Sequence, residues 1–452
     1  MKKASLEDIY LTRYALGDRW NIVSNDICNV SQAVVIPAYA ERDFLFLTLD
    51  SLAQNPESSR EYSLVLCVVN NGQNPPPDVL ENNLQTLRCL DALARRKSLR
   101  AFSGDKKLHE LLERLADCAL KIGYIDAATA GREIPAGVGG VGMARKIGMD
   151  AALRLLRKSP VQPPLIISLD ADSLVENNYL SVIRNGFGLP KIKTAVVAYA
   201  HQLPDDKRQR AAIICYEIFL RYWVLGLRYA ASPWAYHSIG SAMVTTAASY
   251  VEVRGMNKRA AGEDFYFLQK LAKHAPIHYI RETRVYPSAR PSERVPFGTG
   301  KRIRRFLGGD ERQEYLSYDP RIFEIIKRWL SLVRESLFKR EDDLIGAAQD
   351  IHPQLAAFLI SQGFSRVWSR IRSNTKDGKT FHKHFNDWFD GFKTLKLVNF
   401  LTRVAYPQIN MFVALNEMLG VLGQSDFRIP DASQVSEVEA QLSILRYLRE
   451  IT

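Results

Sequence analysis

Short apolar runs that end in polar or glycine-rich residues recur through the first half of the chain. They lie at residues 31–37, 62–69, 120–125, 165–169 and 194–199, and stretches with apolar residues at helical spacing separate most of them. A run of this length bounded by turn signals is typical of a strand that is buried on both faces. Strands that alternate with helices predict right-handed βαβ units, and therefore a mainly parallel sheet flanked by helices.

The pattern changes to helices alone towards the end of the chain. Apolar residues recur at helical spacing in residues 323–333 and again in residues 435–448, with no alternating or continuous apolar runs typical of strands. We therefore predict an N-terminal extension over residues 1–30, an α/β catalytic domain over 31–305 and an α-helical C-terminal domain over 306–452.

Polar residues follow three of the predicted strands at the point where each strand ends. These segments are residues 37–41, 70–73 and 170–173. Open parallel sheets bind ligands beyond the carboxyl ends of their strands, so we expect the three segments to line one crevice.

Two carboxylates, Asp170 and Asp172, come directly after the apolar run 165–169. Residues i and i+2 of an extended chain project to the same side, so both carboxylates can face one point. Two adjacent negative charges are costly without a cation, and hard oxygen ligands suit Mg²⁺ or Mn²⁺, which take further ligands from phosphates. The pair therefore predicts a metal-diphosphate site, and the alternative is a turn whose side chains cap a following helix.

A glycine-rich segment, residues 131–142, precedes a predicted helix and contains the spacing G-x-G-x-x-G. In dinucleotide-binding enzymes these glycines follow a strand at once, and an acid comes about 20 residues later. Here a loop with Pro135 intervenes and Asp170 is about 30 residues away, which argues against an oxidoreductase. A glycine loop at a helix start still suits close approach to an anion, with Arg145 or Lys146 adding positive charge.

Glu263 and Asp264 follow Gly262 and open another predicted helix. Acids in a first turn complement the helix dipole. A carboxylate held there beside a metal-diphosphate site is also a candidate general base. Both interpretations stay open.

Composition and charge narrow the class of protein. The chain has 452 residues, 46% of them apolar and 24% charged, as in ordinary globular proteins with two or three domains. Its formal charge of +12 is uneven, because residues 281–305 hold eight basic residues against two acids. Such a patch attracts phosphate on a nucleic acid, a membrane surface or a small substrate. Aromatic residues are not interleaved with the basic ones of 294–305 as in readers of single strands, so we predict no nucleic-acid partner.

Cysteine usage and hydropathy predict a cytoplasmic protein. The five cysteines are scattered and show no Cys-x-x-Cys spacing, which is typical of reduced thiols. No apolar segment follows Met1 to form a signal peptide, and the longest apolar stretch, residues 211–227, is interrupted by Glu217 and Arg221. The basic patch leaves room for peripheral contact with the inner face of the membrane.

Five short motifs come in the order and approximate spacing of family 2 glycosyltransferases. They are Val-Val-Ile-Pro-Ala-Tyr-Ala-Glu at 34–41, Val-Val-Asn-Asn-Gly at 68–72, Gly-Met-Ala-Arg-Lys-Ile-Gly at 142–148, Asp-Ala-Asp at 170–172 and Gly-Glu-Asp at 262–264. Residues 31–300 thus resemble this family. The resemblance implies the GT-A fold, a Rossmann-like mixed and mainly parallel sheet, with a nucleotide-sugar donor, a divalent metal (Mn²⁺ or Mg²⁺) and usually inversion at the anomeric carbon.

The resemblance also implies roles for individual residues. The metal ligand would be Asp172, with Asp170 nearer the ribose or a metal-bound water. The donor would contact Pro37, Ala38, Glu41, Asn70, Asn71, Gly142 and Arg145. Asp264, with Glu263 beside it, would take the acceptor proton.

Two departures from the family pattern affect these expectations. The family usually has Asp-Asp-Gly-Ser where this chain has Asn-Asn-Gly-Gln at 70–73. Amides both donate and accept hydrogen bonds, which leaves the choice between uridine and guanosine open. The family commonly has Asn after the arginine, whereas this chain has Lys146, for which we expect an added phosphate contact.

Residues 285–301 combine glycines with three basic residues that suit phosphate, Arg290, Arg294 and Lys301. This segment is a candidate flap that closes over the donor and excludes water. The predicted function is metal-dependent transfer of a sugar from a nucleotide-diphosphate sugar to an acceptor hydroxyl, with inversion. The alternatives are a nucleotidyltransferase that acts on sugar phosphates and a non-catalytic nucleotide-sugar-binding protein. The acceptor, whether glycan, lipid-linked or small molecule, stays open.

Overall fold

The structure is a computed structural model that describes residues 4–24, 26–188, 192–292, 298–309, 311–336, 340–424, 427, 429, 432 and 437–452. The chain forms two compact units within these ranges. The first contains Met1–Gln202 and Ser238–Ser288, and the second contains Leu203–His237, Ala289–Arg294 and Gly298–Thr452, each as far as it is described.

The first unit is built on one large sheet. In chain order the strands are β1 (Gln32–Ala38), β2 (Ser63–Asn70), β3 (Lys121–Ala127), β4 (Leu165–Ser168), β5 (Leu174–Val175), β6 (Thr194–Tyr199), β7 (Met243–Thr246), β8 (His278–Tyr286), β9 (Leu316–Ser317) and β10 (Ile409–Asn410). The sheet has the order β3-β2-β1-β4-β7-β6-β8-β5, and β9 pairs with β10 in the second unit. Strands β1 to β4 are parallel, as are β6 and β8, whereas β7 and β5 are antiparallel to their neighbours. The predicted mainly parallel sheet is confirmed.

Burial on both faces explains why the central strands read as continuous apolar runs. Every residue of β1 and β2 is buried. Strand β1 continues to Ala38, one residue past the predicted stop at Pro37. The Val35 carbonyl accepts from the Leu169 N–H at 3.1 Å, so Pro37, two residues on, faces the side where pairing with β4 ends at Ser168. The missing N–H of Pro37 thus coincides with the end of the β1–β4 ladder.

Helices flank the sheet and make up most of the second unit. In chain order they are α1 (Leu6–Arg13), α2 (Arg42–Ala53), α3 (Glu57–Arg60), α4 (Pro77–Ala94), α5 (Lys106–Asp117), α6 (Val141–Leu156), α7 (Tyr179–Gly186), α8 (Lys207–Tyr229), α9 (Ala247–Glu252), α10 (Glu263–His274), α11 (Thr299–Leu307), α12 (Glu311–Glu314), α13 (Pro320–Arg334), α14 (Glu341–Ile351), α15 (Pro353–Ser361), α16 (Phe364–Ser373), α17 (Gly378–Trp388), α18 (Gly391–Val404), α19 (Met411–Val421) and α20 (Val438–Ile451). No helix among the described residues is long and apolar enough to cross a membrane.

The core of the second unit is formed mainly by helices, as predicted for the C-terminal region, and contains a cluster of aromatic rings. Trp329 on α13 is completely buried. Its ring lies 5.4 Å from Phe364, 6.0 Å from Phe385 and 6.4 Å from Phe389, in each case edge to face. Aromatic pairs favour this geometry because the ring edge is positive and the face negative.

Two helices that begin in the predicted catalytic range 31–305, α8 and α11, belong to the second unit. Helix α8 contacts α13 so closely that a Cβ on Gly226 would lie 2.5 Å from the Phe323 ring. Apolar residues around most of its circumference explain this placement, since a helix that is apolar on several faces must be buried on several faces.

Candidate active site

The turn that follows β4 carries both aspartates and is fixed by hydrogen bonds from three directions. The Ser173 N–H donates to the Asp170 carbonyl at 3.2 Å. The Thr48 hydroxyl on α2 donates to the Ala171 carbonyl at 2.9 Å, and the Gln202 amide donates to the Asp172 carbonyl at 2.9 Å. The turn therefore does not depend on a ligand for its shape, and both carboxylates start from a fixed backbone at the carboxyl end of the sheet.

Arg145, in the second turn of α6, is the central cation of the site. It is only 2% exposed. Its Nε donates to the Ser168 hydroxyl at 3.0 Å, and its two terminal nitrogens pair with Asp170 and Glu263. One guanidinium thus joins α6, the end of β4 and the first turn of α10. A Cβ on Gly240 would lie 2.5 Å from Nη2, so this glycine leaves room for the guanidinium.

The carboxyl groups around Arg145 have raised pKa values. Burial raises the pKa of Asp170, and Asp172 adds to this rise while Arg145 opposes it. Burial also raises the pKa of Glu263 to about 7 and raises the pKa of Asp264, again against the effect of Arg145. Burial lowers the pKa of Arg145, but the neighbouring carboxylates more than offset this. One internal cation faces several carboxyls, so the site favours a second positive charge.

The glycine loop meets the segment that leads into α10. A Cβ on Gly140 would lie 2.7 Å from the Ala260 carbonyl oxygen, and a Cβ on Gly142 would lie 2.4 Å from the Arg259 carbonyl oxygen. Gly140 also has φ +81°, which favours glycine. These two glycines let α6 approach the loop before Glu263, and that close approach is the condition for the pairing of Glu263 with Arg145.

The ends of β1 and β2 are joined by asparagine side chains. The Asn70 amide donates to the Ala38 and Val68 carbonyls, both at 3.1 Å. The Asn71 amide donates to the Gly72 carbonyl at 3.0 Å and to the Ala128 carbonyl at 3.2 Å. The site residues Pro37, Ala38 and Glu41 lie at this end of β1, and all three are buried.

Asn83 on α4 completes this network and was not predicted. Its Nδ2 donates to the Asn71 Oδ1 at 2.9 Å and to the Asn70 carbonyl at 3.1 Å. Its Oδ1 accepts from the Ala40 N–H at 2.9 Å. It therefore ties together two of the predicted ligand-binding segments. The sequence signal for this role is a polar residue, Asn83, at a position of α4 whose helical neighbours on the same face are mostly apolar. That signal does not identify the hydrogen-bond partners.

Lys146 has a different role from the phosphate contact that we expected. It is 3% exposed; its Nζ lies 3.0 Å from the Asp150 carboxylate and donates to the Tyr10 hydroxyl at 2.9 Å. Tyr10 and Tyr250 both donate to Asp150 as well, at 2.6 and 2.7 Å. The expectation is wrong because the ammonium group is already paired inside the protein. The same contacts hold α1 of the N-terminal extension against α6 within the first unit.

Two of the three basic residues of the candidate flap fall within the described residues. Arg290 and Lys301 belong to the second unit, and Arg294 lies outside the described residues. Their proposed role at the donor stays a prediction.

The residues at the end of β4 fit a divalent cation that shares its coordination with phosphate. No group of three or more His, Cys, Asp or Glu side chains in the described ranges is arranged to hold a metal by itself. Mg²⁺ and Mn²⁺ commonly use one or two carboxylates and complete their shells with water and substrate phosphates. Because Arg145 occupies one oxygen of Asp170, Asp172 is the better candidate for the first ligand.

No protein-family model matches the chain, and no curated protein matches it. Similar solved structures include S. aureus TarS 1-349 in complex with UDP-GlcNAc, at 11% identity, with 94% of this chain and 93% of that chain covered and a TM-score of 0.35. They also include the mannosyltransferase PcManGT from Pyrobaculum calidifontis in complex with GDP-Man and Mn²⁺, at 12% identity, with 98% and 88% covered and a TM-score of 0.36. At these TM-scores the likeness is too distant to assign an activity to this chain.

Proposed function

We propose that this chain is a glycosyltransferase of the family 2 type, with the GT-A fold, that transfers a sugar from a nucleoside diphosphate sugar to an acceptor hydroxyl with inversion. One observation carries the proposal: a single buried guanidinium, that of Arg145, pairs with Asp170 and Glu263 at the carboxyl end of the parallel strands. Asp172 lies two residues after Asp170, and Asp264 directly follows Glu263. Carboxylates for a metal and for proton transfer thus meet at the edge where open α/β sheets bind ligands.

The nucleoside of the donor would bind at the ends of β1 and β2. Pro37, Ala38 and Glu41 would lie against it, with Asn70 and Asn71 beside the base. Both Nδ2 hydrogens of Asn71 are bound to carbonyls and its Oδ1 accepts from Asn83, so its contribution would be to hold the pocket in shape. The diphosphate would lie near Gly142 and Arg145, at the N-terminus of α6, where helix dipoles favour anions.

Asp172, assisted by Asp170, would hold Mn²⁺ or Mg²⁺ together with the diphosphate. A bound divalent cation neutralises the negative charge that develops on the departing nucleoside diphosphate. Arg145 would keep Asp170 oriented and balance part of its charge. Because hydrogen bonds from Thr48 and Gln202 fix the backbone of the turn, Asp172 could bind the cation without a rearrangement of that backbone.

Asp264 would remove the proton from the acceptor hydroxyl. Its pKa is raised by burial, and a carboxylate with a raised pKa binds a proton more readily than a free one. Glu263 is paired with Arg145, so we assign it a positioning role: it fixes the first turn of α10, and with it the backbone from which Asp264 projects.

A donor-binding panel and a product assay test the proposal together. UDP, GDP, CDP and dTDP sugars are screened for thermal stabilisation with and without Mn²⁺, because ligands that bind only the folded state raise Tm. Products are then analysed for nucleoside diphosphate. A nucleotidyltransferase would not release pyrophosphate from a nucleotide sugar, so the nucleoside triphosphates are also incubated with sugar phosphates, and pyrophosphate release in that assay indicates this class. Stabilisation without product in either assay indicates a non-catalytic binding protein.

Three variants assign the roles. Asp264→Asn is expected to keep donor-induced stabilisation and to lower nucleoside diphosphate release by about 10²–10⁴-fold, the range for a general base. Asp172→Asn is expected to lose the part of the stabilisation that depends on Mn²⁺. Asp117→Asn, at the exposed end of α5, is the matched control and keeps both properties. Full activity in Asp264→Asn would refute its assignment as the base.

A further inference from the structure

A cleft of about 640 Å³ opens in the second unit between α15 and α18, with Tyr318 and Gln408 also at its wall. We call it the α15/α18 cleft. Its volume is in the range of pockets that take small molecules or a few sugar rings. Every residue that lines it belongs to the second unit, and none has a role in the proposed sugar transfer.

Two helical stripes give the cleft a mixed aromatic and polar lining. Lys396, Asn399, Phe400 and Arg403 follow the i, i+3, i+4, i+7 spacing that forms one face of α18. Phe358 on α15 is 3% exposed and forms the floor, with its ring 5.7 Å from that of Phe400. The apolar part of the lining is therefore made of aromatic rings.

Amides and hydroxyls make up the neutral polar part of the lining. Asn399, Gln362 and Gln408 contribute amides, and Ser361 contributes a hydroxyl. The Tyr318 hydroxyl lies 3.3 Å from the Asn399 Oδ1, which orients that amide with its Nδ2 donors left for a ligand. Amides and hydroxyls both donate and accept hydrogen bonds, as the hydroxyls of a sugar do.

The charged part of the lining is positive only. Lys396 and Arg403 are exposed, no ion pair joins either of them to another described residue, and no carboxylate lines the cleft. Arg302 and Arg305 of the same unit, by contrast, share a carboxylate partner, Glu314. Two unmatched cations beside amides and aromatic rings favour a ligand with an anionic group.

We propose that the α15/α18 cleft binds an oligosaccharide that carries a carboxylate or a phosphate group. The C–H face of a sugar ring would pack on Phe400 and Tyr318, because the face of an aromatic ring is negative and attracts C–H groups. The hydroxyls would bond to Asn399 and the glutamines, and the anionic group would lie between Lys396 and Arg403. This site does not depend on the proposed transfer activity.

The lining favours a saccharide over the other ligands that bind cations and aromatic rings. A partner helix would need a long apolar groove, whereas the apolar surface here is interrupted by amides along both helices. A membrane surface would be met by exposed apolar side chains around a continuous basic face, and Ile360 on α15 and Val404 on α18 are exposed. The aromatic floor residue Phe358 is buried in a concave site, which favours the saccharide. Comparison with phosphatidylglycerol vesicles decides between the two.

Calorimetric titration of the full chain tests the proposal. The probes are hyaluronan hexasaccharide, which carries carboxylates, a phosphorylated maltohexaose, which carries a phosphate, and chitohexaose, which is neutral. We expect at least one anionic probe to bind, and chitohexaose to bind about tenfold more weakly or not at all, since each factor of ten corresponds to about 1.4 kcal/mol. Comparison of the two anionic probes identifies the preferred group.

The double variant Lys396→Glu/Arg403→Glu is expected to weaken anionic binding by about tenfold or more, because both cations become anions. Arg366→Glu/Arg370→Glu, which makes the same change of charge at exposed positions of α16, is the matched control and keeps the affinity. Phe400→Leu is expected to weaken all saccharides while it keeps the neighbouring packing.

Four results would overturn the proposal. They are the absence of binding at millimolar probe, equal binding of the neutral and anionic probes, equal weakening by the two double variants, and tighter binding of uridine monophosphate or of phosphatidylglycerol vesicles than of either anionic saccharide probe. Donor binding and nucleoside diphosphate release, measured on the same variants, are expected to stay unchanged, which separates this proposal from the proposed transfer.

Discussion

Arg145 illustrates how a buried charge organises a site at the scale of single residues. Its guanidinium is removed from water, but it is compensated by Asp170 and Glu263 and by the Ser168 hydroxyl. A buried charge with all partners in place adds little net stability, whereas a partner left alone is strongly destabilising. The arrangement therefore makes the geometry of the site depend on one side chain.

We expect Arg145→Ala to lower the free energy of unfolding by about 3–5 kcal/mol at pH 8, the usual cost of leaving buried charges unpaired. Burial already raises the pKa of Glu263 to about 7, so between its ordinary value and pH 7 the folded chain holds a proton that the unfolded chain has released. Stability conferred by this group falls as pH rises through that window. Without Arg145 the pKa values of Asp170 and Glu263 rise further, because Arg145 lowers both. The stability of the variant therefore falls more steeply with pH than that of the wild type. The stability lost through the mutation is smaller at pH 5 than at pH 8.

Urea unfolding at the two pH values, with a chelator present, measures this difference. Arg157→Ala is the control, because Arg157 pairs with Glu7 and Asp8 at a site where its own side chain is 44% exposed. Exposed pairs contribute about 0–1 kcal/mol. Losses of equal size at both pH values in Arg145→Ala would contradict the assigned pairing.

At the scale of elements, the position of α6 depends on how closely its start approaches the loop before α10. Gly140 and Gly142 have backbone neighbours where a side chain would otherwise lie, whereas Gly139 has nothing within 4 Å of its Cβ position. The three glycines are close in sequence but not equivalent. Gly140 and Gly142 face the loop before α10 and allow its close approach to α6, whereas Gly139 has no neighbour that a side chain would displace.

We expect Gly142→Ala to cost about 1–3 kcal/mol of stability, the usual effect of inserting a group into a packed contact. Its Cβ would lie 2.4 Å from the Arg259 carbonyl oxygen and 2.9 Å from that of Asn257, so α6 and the Glu263 turn must separate. Nucleoside diphosphate release should fall as well. Gly139→Ala is the matched control and should stay within about 0.5 kcal/mol of the wild type. Equal stability of the two variants would show that the contact is not tight.

At the scale of the whole molecule, the chain leaves the first unit after Gln202, forms α8 in the second unit, and returns at Ser238. Helix α8 packs on α13 through Gly226, which lies against the Phe323 ring. A long helix in the middle of the chain thus belongs to the same core as the C-terminal helices. Domain limits that follow the order of the sequence, such as the predicted boundary at residue 305, do not describe this arrangement.

Gly226→Ala should reduce stability by about 1–3 kcal/mol, because its Cβ would lie 2.5 Å from the Phe323 ring. Amide hydrogen exchange should accelerate most in α8 and α13. Gly346→Ala on α14 has nothing within 4 Å of its Cβ and lies at an exposed position, so it should be neutral or stabilise by about 0.5–1 kcal/mol. Acceleration confined to β1 and β2 in Gly226→Ala would argue against this assignment of α8.

Most of the fold could be predicted because its signals are local. Strand β2 is buried at every position, and a fully buried strand is apolar at every position, so its limits are visible in the sequence. The same holds for the polar residues that end β1, β2 and β4, since parallel strands bring their carboxyl ends to one edge. These features required no knowledge of distant contacts.

The sequence alone determined the class of fold, the edge of the sheet where polar residues gather, and the candidate carboxylates. Only the tertiary structure decided which partners the two cations Arg145 and Lys146 have. Arg145 and Lys146 are adjacent, but successive helix residues point about 100° apart, so one meets Asp170 and Glu263 while the other meets Asp150 and Tyr10. Glu263 and Tyr10 lie more than a hundred residues away along the chain in opposite directions. Partners so distant are chosen by packing, because the free energy of a buried charge depends on which groups surround it and not on its neighbours in sequence.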